Sequence, residues 1–279
     1  MFHVEQKEIY IEVQDHFLTK ENFQIHKTTT EGLLQTFPTP SKSQINNYYK
    51  SEYYVSHDSK NSSFFFFFYR FFRAFNFLSK KRLLPSKKLC KDVLDFGSGE
   101  GYFIDKLRRK GFNVLGVDTI KSDVSKGVYE SVFDKNLQTK KFNCITAWHS
   151  IEHVHDLDKT ISRFNDLLDD KGALIIAVPN YLSLDAKYYN SFWAGYDAPR
   201  HLWHFDKRSL IKIFESKGFD FIKSKPMLLD AYYVSLLSEE YKKSTFKLFK
   251  SFIVGTRSNI NAFFTKEYSS NIFVFKKSG

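Results

Sequence analysis

The sequence predicts an α/β protein with a doubly wound, mostly parallel sheet of seven strands and an N-terminal helical extension. Short apolar runs alternate with amphipathic segments from about residue 91 onward. A glycine-rich loop follows the first apolar run, and an acidic residue ends the second. Near-continuous apolar strands that alternate with helices are typical of a parallel sheet covered on both faces.

The periodicity of apolar residues places the elements in order along the chain. Seven strands are predicted at 92–96, 113–118, 127–133, 142–148, 173–180, 219–224 and 269–277. Three helices are predicted at 101–111, 157–168 and 206–218. The segment 181–205 interrupts the pattern and is expected to be an aromatic-rich loop. A helical insertion is expected at 226–269, before the last strand.

The alternation of apolar runs and amphipathic segments is confined to the middle of the chain. Three parts are therefore predicted, 1–85, 86–225 and 226–279. The first part shows no repeated strand pattern and is expected to be helical and aromatic. Its stretch "FFFFFYRFFRAFNFL" (64–78) is too short and too charged to cross a bilayer. An aromatic packing helix is expected there, with contact to a membrane surface or a lid over a substrate as alternatives.

Composition limits the classes of partner and compartment. The chain of 279 residues has 42 Lys and Arg against 31 Asp and Glu, a net charge of +11. Basic patches can meet nucleic acid, anionic lipid or an acidic substrate, although a solvated surface is the simplest interpretation. Two cysteines without metal-type spacing, and a first segment unlike a signal peptide, favour a cytoplasmic protein.

The segment "VLDFGSGEGYF" (93–103) carries the strongest signal. A strand ends at Asp95, and a loop with three glycines opens a helix. Such glycines let the backbone approach a ligand, and the helix start offers free N–H groups. The dinucleotide pattern G-x-G-x-x-G would need glycine at position 102, where Tyr102 stands. A carboxylate at Asp118, which ends the next strand, can accept hydrogen bonds from ribose hydroxyls.

The pattern D-x-G-x-G-x-G resembles the signature of class I S-adenosylmethionine-dependent methyltransferases, which have a Rossmann-like fold. The resemblance implies that residues 86–225 bind S-adenosyl-L-methionine, with the glycine loop on its methionine portion and Asp118 on its ribose. The cofactor-binding residues that it implies are Asp95, Phe96, Gly97, Gly99, Gly101, Asp118, Thr119, Ile120, Val132, Phe133, Ala147, Trp148 and His149.

The segment "AWHSIEHVHD" (147–156) follows the fourth predicted strand and should therefore face the ligand crevice. It resembles the "EHV" stretch of ubiquinone-biosynthesis O-methyltransferases, where Glu-x-x-Glu-His is associated with a divalent metal. His149 replaces the first glutamate here, which argues against a magnesium site because a hard cation prefers oxygen ligands, so no residue is assigned as a metal ligand. Three interpretations stay open: a metal site of His149, Glu152 and His153; a histidine general base; or a packed connection with Asp156 as a helix cap.

The second polar cluster, "WAGYDAPRHLWHF" (193–205), follows the fifth strand and resembles the type 23-like methyltransferase branch. Arg200 could pair with an anionic acceptor, and His201 or His204 could contact the nucleophile. Alternatively, Asp197 and Arg200 hold the loop together. The candidate catalytic residues are therefore His149, His153, Arg200 and His201.

Together these features predict a methyltransferase for a small-molecule acceptor, with O-methylation favoured. One alternative is a nucleic-acid methyltransferase, but no "(N/D)PP(Y/F)" signature follows the fourth strand. The other is a non-catalytic cofactor-binding subunit.

Overall fold

The computed structural model describes residues 8–49, 77–86 and 88–279. Most of the predicted aromatic helix, residues 64–76, lies outside the described residues. The seven strands predicted for the larger sheet are all present. They are β4 (Asp92–Phe96), β5 (Asn113–Val117), β6 (Val128–Tyr129), β7 (Phe142–Trp148), β8 (Leu168–Pro179), β10 (Phe219–Pro226) and β11 (Ser270–Lys277). Across the sheet they lie in the order β10-β11-β8-β7-β4-β5-β6.

The sheet is mostly parallel. Strand β4 pairs in parallel with both β5 and β7, and β8 pairs in parallel with β7. Only β11, which lies between β8 and β10, runs antiparallel to its neighbours. Because β4 and β5 end side by side, the glycine loop and Asp118 meet at one edge of the sheet.

Six α-helices that lie entirely within the described residues accompany these strands. They are α1 (Tyr102–Arg108), α2 (Leu157–Leu167), α3 (Leu184–Tyr189), α4 (Lys207–Glu215), α5 (Asp230–Tyr241) and α6 (Lys247–Thr265). The predicted helices at 101–111, 157–168 and 206–218 are confirmed as α1, α2 and α4. The predicted helical insertion is confirmed as α5 and α6. No described helix is both long enough and apolar enough to cross a membrane.

The prediction of a helical N-terminal extension is wrong for residues 8–49. This part forms three antiparallel strands, β1 (Ile9–Gln14), β2 (Asn22–Lys27) and β3 (Leu33–Phe37). The loop expected at 181–205 also contains structure, since it includes α3 and strand β9 (Trp203–Phe205). Strand β9 pairs with β3 and completes a second, four-stranded sheet. This pairing between distant segments has no local sequence signal, which is why both expectations failed.

The larger sheet is covered on both faces, as its continuous apolar strands require. One apolar cluster contains Phe164 of α2 and Phe214 of α4. The other contains Ile104 and Leu107 of α1. Packing on both faces leaves the carboxyl ends of the parallel strands as the place where polar side chains gather.

Candidate active site at the carboxyl edge of the sheet

The glycine loop has the backbone that its sequence predicts. Gly97, Gly99 and Gly101 have φ angles of +75°, +53° and +73°, a region that favours glycine. A Cβ atom at Gly97 would lie 2.3 Å from the Cβ of Ser150, so the loop packs directly against the residue that follows His149. No described atom lies within 4 Å of a Cβ built at Gly99 or Gly101. The loop therefore leaves room for a ligand beside Gly99 and Gly101.

Asp95 lies buried where β4 ends, and its Oδ1 accepts a 2.7 Å hydrogen bond from the Thr146 hydroxyl on β7. Burial raises the pKa of Asp95 to about 7, although the Thr146 hydroxyl and the Lys80 ammonium oppose the rise. The Nζ of Lys80 lies 4.7 Å from the centroid of the Trp148 ring. Asp95 is thus a carboxyl group whose charge state can change near neutral pH when a cationic ligand group approaches.

Asp118 anchors the glycine loop to the end of β5. Its Oδ2 accepts a 2.7 Å hydrogen bond from the backbone N–H of Gly99. Its Oδ1 accepts hydrogen bonds from the N–H groups of Ile120 at 3.0 Å and Lys121 at 2.8 Å. Since each carboxylate oxygen can accept about two hydrogen bonds, Oδ2 retains capacity for a further donor.

The other predicted cofactor residues differ in accessibility. Ile120 and Phe133 are both 49% exposed, and Thr119 is exposed beside Ile120. Val132, Ala147 and Trp148 are buried, and the ring of half-buried Phe96 packs edge-on against Phe164 at 5.1 Å. Ile120 and Phe133 offer apolar surface to a ligand, whereas Val132 and Ala147 pack in the hydrophobic core beneath the edge of the sheet.

His149 joins the end of β7 to α5. Its φ angle of +51° is unusual for a residue with a side chain, and its Nε2 lies 3.1 Å from Oδ2 of Asp230. Its Nδ1 lies 3.6 Å from Oε1 of Glu152. Burial opposes the positive charge, but the carboxylates of Asp230 and Glu152 outweigh burial and raise the pKa of His149 to about 9. His149 is therefore an imidazolium at neutral pH, which cannot accept a proton.

His201 has the opposite charge state. Its Nδ1 is 2.9 Å from the carbonyl oxygen of Gly195, so Nδ1 carries the hydrogen and Nε2 holds the lone pair. Burial, together with the neighbouring His153, lowers the pKa of His201 to about 4 despite Asp197 and Glu152. The Nε2 atom lies 3.9 Å from Oε1 of Glu152. His201 is thus a neutral imidazole of fixed tautomer.

His153 is held beside His201. The two rings meet edge to face with centroids 4.7 Å apart. The Nδ1 of His153 is 2.9 Å from the carbonyl oxygen of Arg200 and 3.0 Å from the hydroxyl of Tyr49. The main chain also links the two segments, since the N–H of Leu202 donates to the carbonyl of Glu152 at 2.8 Å. The segments after β7 and β8 therefore converge, as the sequence predicted.

Arg200 occupies a different position from the one expected for an acceptor-binding residue. Its guanidinium is buried and donates to Asp197 at 2.7 Å, to Asp15 at 3.0 Å and to the carbonyl of Tyr48 at 3.1 Å. These contacts favour the alternative in which Arg200 holds the loop, and they tie it to the N-terminal sheet. His204, buried as well, lies 2.9 Å from the Thr36 hydroxyl and holds β9 to β3.

A group able to hold a metal ion is present, but it differs from the one that the sequence suggested. Ligand atoms of Glu152, His153 and His201 lie within 4.8 Å of one another, and His149 is not a member. A glutamate with two imidazoles suits transition metals better than magnesium. However, the His149 imidazolium 3.6 Å from the same glutamate already supplies positive charge there and disfavours a dication.

Unsatisfied polar atoms also mark this edge. The Ser98 hydroxyl, the Trp148 indole N–H and both carboxylate oxygens of Glu152 are buried, and none has a hydrogen-bond partner among the described residues. Buried polar groups are nearly always paired in folded proteins, so atoms without a partner indicate a place where a ligand or water is expected.

Lys80, Thr146 and Asp230 were not predicted as site residues. The three residues come from separate segments of the chain. Thr146 lies in a predicted strand that ends at this edge, whereas no pattern in the sequence connects Lys80 or Asp230 with the site.

A cavity of about 440 Å³ lies elsewhere, at the amino-terminal edge of the sheet. Asp92, Arg108 and Phe142 are among its lining residues, and the glycine loop is not. Ligands of open α/β sheets bind at the carboxyl edge, where the glycines, both aspartates and the histidines lie. We therefore place the candidate active site at the carboxyl edge.

Comparison with known proteins agrees with this geometry. The family model described as "Methyltransferase domain" matches residues 68–224, more than half of the chain. A curated relative, the ubiquinone biosynthesis O-methyltransferase of Pelagibacter ubique (strain HTCC1062), is 23% identical over 174 residues, which cover 52% of this chain and 72% of the relative.

Two solved structures of Haemonchus contortus phosphoethanolamine N-methyltransferase 2 share the fold. One, in complex with S-adenosyl-L-methionine, is 18% identical with a TM-score of 0.51, and the match covers 100% of this chain and 71% of that chain. The other, in complex with phosphomonomethylethanolamine and S-adenosylhomocysteine, is 15% identical with a TM-score of 0.52, and covers 100% and 72%.

Proposed function

The chain belongs to the methyltransferase domain family and is a class I S-adenosylmethionine-dependent methyltransferase, and from this premise we propose that it methylates a hydroxyl of a small-molecule acceptor. When bound, S-adenosylmethionine supplies an electrophilic methyl group. The observation that carries the proposal is the neutral His201 imidazole, whose Nε2 lone pair lies beside the glutamate and histidines at the carboxyl edge.

The residues at this edge fit the cofactor. Gly99 and Gly101 leave open space where a side chain would otherwise stand, and the Ser98 hydroxyl has no partner among the described residues. We assign Asp118 to the ribose, because Oδ2 can accept one further hydrogen bond. We assign Asp95 to the cationic amino group of the methionine portion, since a positive charge there would favour its ionised form.

The proton of the acceptor hydroxyl is assigned to Nε2 of His201. A base whose pKa is about 4 stays unprotonated at physiological pH, which keeps it available although it limits its strength. Glu152, 3.9 Å away, would stabilise the imidazolium that forms. His153 positions the His201 ring through the edge-to-face contact. Alignment of the nucleophile with the methyl group supplies the remainder of catalysis.

Oxygen is favoured as the nucleophile for two reasons. A hydroxyl must lose its proton during transfer, which gives a neutral histidine a task. The curated relative is named as an O-methyltransferase. The N-methyltransferase structures, at 18% identity or less, support the fold and leave the acceptor open.

A divalent metal, if one binds, would be held by Glu152, His153 and His201 and would acidify a coordinated hydroxyl. Our proposal does not depend on it, because the imidazolium of His149 already balances the charge of Glu152.

The test is to incubate purified protein with isotopically labelled S-adenosylmethionine and a cell lysate, and to identify the labelled small molecules and nucleic acids by mass spectrometry. A product methylated on oxygen is expected. Label found only in nucleic acid, or no transfer despite tight cofactor binding, would contradict the proposal and favour a nucleic-acid enzyme or a non-catalytic subunit, respectively.

A further inference from the structure

Helix α6 exposes an apolar face and buries a face made mainly of small residues. The exposed apolar side chains of this face are Phe249, Phe252, Ile253, Ile260, Phe263 and Phe264. Their exposed fractions range from 39% to 75%. Helices of globular proteins normally turn their apolar stripe toward the core, so this arrangement needs an explanation.

The inward face shows that the orientation of α6 is fixed by its packing. Small residues on that face, among them Gly255, allow close contact with α5, since a Cβ at Gly255 would lie 3.0 Å from the Cα of Tyr232. The Ser258 hydroxyl is buried and donates to Asp185 at 2.6 Å. Rotating the helix to bury its phenylalanines would break this hydrogen bond and place large side chains where only small ones fit.

The charged side chains of α6 and of the residues that join it to α5 have one sign. Residues 242–266 contain no Asp or Glu. Six exposed cationic side chains lie in this range, Lys242, Lys243, Lys247, Lys250, Arg257 and Lys266. Lys247 pairs with Glu240 of α5 at 2.6 Å, an exposed contact that leaves the local charge positive. A partner must therefore cover apolar surface and also supply negative charge.

We propose that the apolar face of α6, together with the six flanking cations, docks onto an anionic lipid surface. A helix with aromatic and aliphatic residues on one side and Lys and Arg at its margins lies in the interfacial plane, with its apolar side among the acyl chains. The 19 residues of α6 extend about 28 Å along that plane.

A second copy of the chain fits this face less well. In a two-fold symmetric dimer the same patch meets itself, so the cations around one apolar face would approach those of the other. Like charges brought together across an interface oppose association. Lipid headgroups of opposite sign would neutralise the same cations.

The docking surface adjoins the candidate active site through α5. Tyr232 of α5 stacks on Phe252 of α6 with ring centroids 5.7 Å apart. Two residues earlier, Asp230 contacts His149. Because α5 contacts both α6 and His149, membrane docking of α6 would bring the carboxyl edge of the sheet close to the lipid surface.

The experiment is sedimentation of the full chain with vesicles of phosphatidylcholine alone or with 30% phosphatidylglycerol. The wild type is expected to bind the anionic vesicles and to bind the neutral ones much more weakly. A Phe252→Ser and Phe263→Ser double variant should lose about tenfold or more in partitioning. Lys250→Gln and Arg257→Gln should each lose about fivefold on anionic vesicles only.

Ile222→Ser and Arg208→Gln are matched controls, because both residues are exposed outside α6. Their binding should equal that of the wild type, and unchanged melting temperatures would show that all variants fold. Undiminished binding by the double phenylalanine variant would overturn the proposal. A second outcome would also overturn it: light scattering shows that the wild type is a dimer, and the double phenylalanine variant is a monomer that still binds vesicles. Neither readout uses methyl transfer, so these outcomes leave the proposed enzymatic function untouched.

Discussion

The Nε2 atom of His149 lies 3.1 Å from Oδ2 of Asp230, although the two residues are 81 positions apart in the chain. The contact joins the end of β7 to the first turn of α5. The Asp230 carboxylate favours the protonated form of the His149 imidazole, and the contact holds the C-terminal helical insertion against the edge of the sheet.

Stability should depend on pH through this contact. The pKa of His149 is raised to about 9 against an ordinary value of 6.5. The contribution is therefore complete below pH 6.5 and is lost as the pH rises through 9. Asp230→Asn should lower the free energy of unfolding by about 1 kcal/mol at pH 6 and by little at pH 10, measured with urea. Asp158→Asn, which breaks a half-buried ion pair with Lys217, is the control and should show no such dependence.

Replacement of His201 should separate catalysis from cofactor binding. His201→Ala is expected to lower kcat by about a hundredfold or more and to leave cofactor affinity nearly unchanged. Because burial lowers the pKa of His201 to about 4, the kcat of the wild type, measured at saturating cofactor, should fall only as the pH approaches 4. His155→Ala is the matched control, since His155 contacts the Pro40 carbonyl and lies outside the cluster.

His153→Ala should also lower kcat while leaving cofactor affinity and melting temperature nearly unchanged, because His153 positions the His201 ring. A much larger loss of kcat in this variant than in His201→Ala would identify His153, instead of His201, as the base. Normal turnover in both variants would mean that these histidines serve only the scaffold.

Cofactor affinity should depend on Asp118. Asp118→Ala removes the acceptor proposed for the ribose and also releases the N–H of Gly99, so calorimetry should show at least about tenfold weaker binding of S-adenosylmethionine. Asp134→Ala removes a comparable cap of a short helical turn away from the loop and should bind normally. Wild-type protein that binds NAD and ignores S-adenosylmethionine would refute the assignment of the loop.

Chelation should not abolish methyl transfer. The His149 imidazolium lies 3.6 Å from Glu152 and takes the place of a cation beside that carboxylate. Activity is therefore expected to persist after treatment with EDTA and dialysis. Loss of activity that magnesium or zinc restores would instead identify Glu152, His153 and His201 as a metal site.

The basic surface is not expected to bind nucleic acid tightly. Any complex formed by the clustered lysines should weaken steeply with added salt, because neutralised phosphates release counterions. We expect no submicromolar binding to RNA or DNA at physiological ionic strength in a fluorescence anisotropy titration. A submicromolar complex with RNA or DNA at that ionic strength would favour the nucleic-acid alternative.

The core of the fold and the cofactor loop could be predicted from sequence because their signals are local. Continuous apolar runs such as 142–148 are typical of strands buried on both faces of a parallel sheet. Gly97, Gly99 and Gly101 all adopt positive φ angles, and the spacing of Asp95 and Asp118 follows from the lengths of one strand, one helix and the next strand. Each of these features depends on neighbouring residues alone.

The remaining features depend on contacts between distant segments, and only the tertiary structure decided them. The N-terminal strands are stabilised by pairing with β9, about 170 residues later, which no local pattern encodes. The sequence also left the roles of the histidines open, because an imidazole takes its charge from its surroundings. Two carboxylates make His149 cationic, while burial keeps His201 neutral. The sequence determined which residues reach the edge of the sheet, and the packing of α5 and the N-terminal sheet around that edge decided what each of them can do.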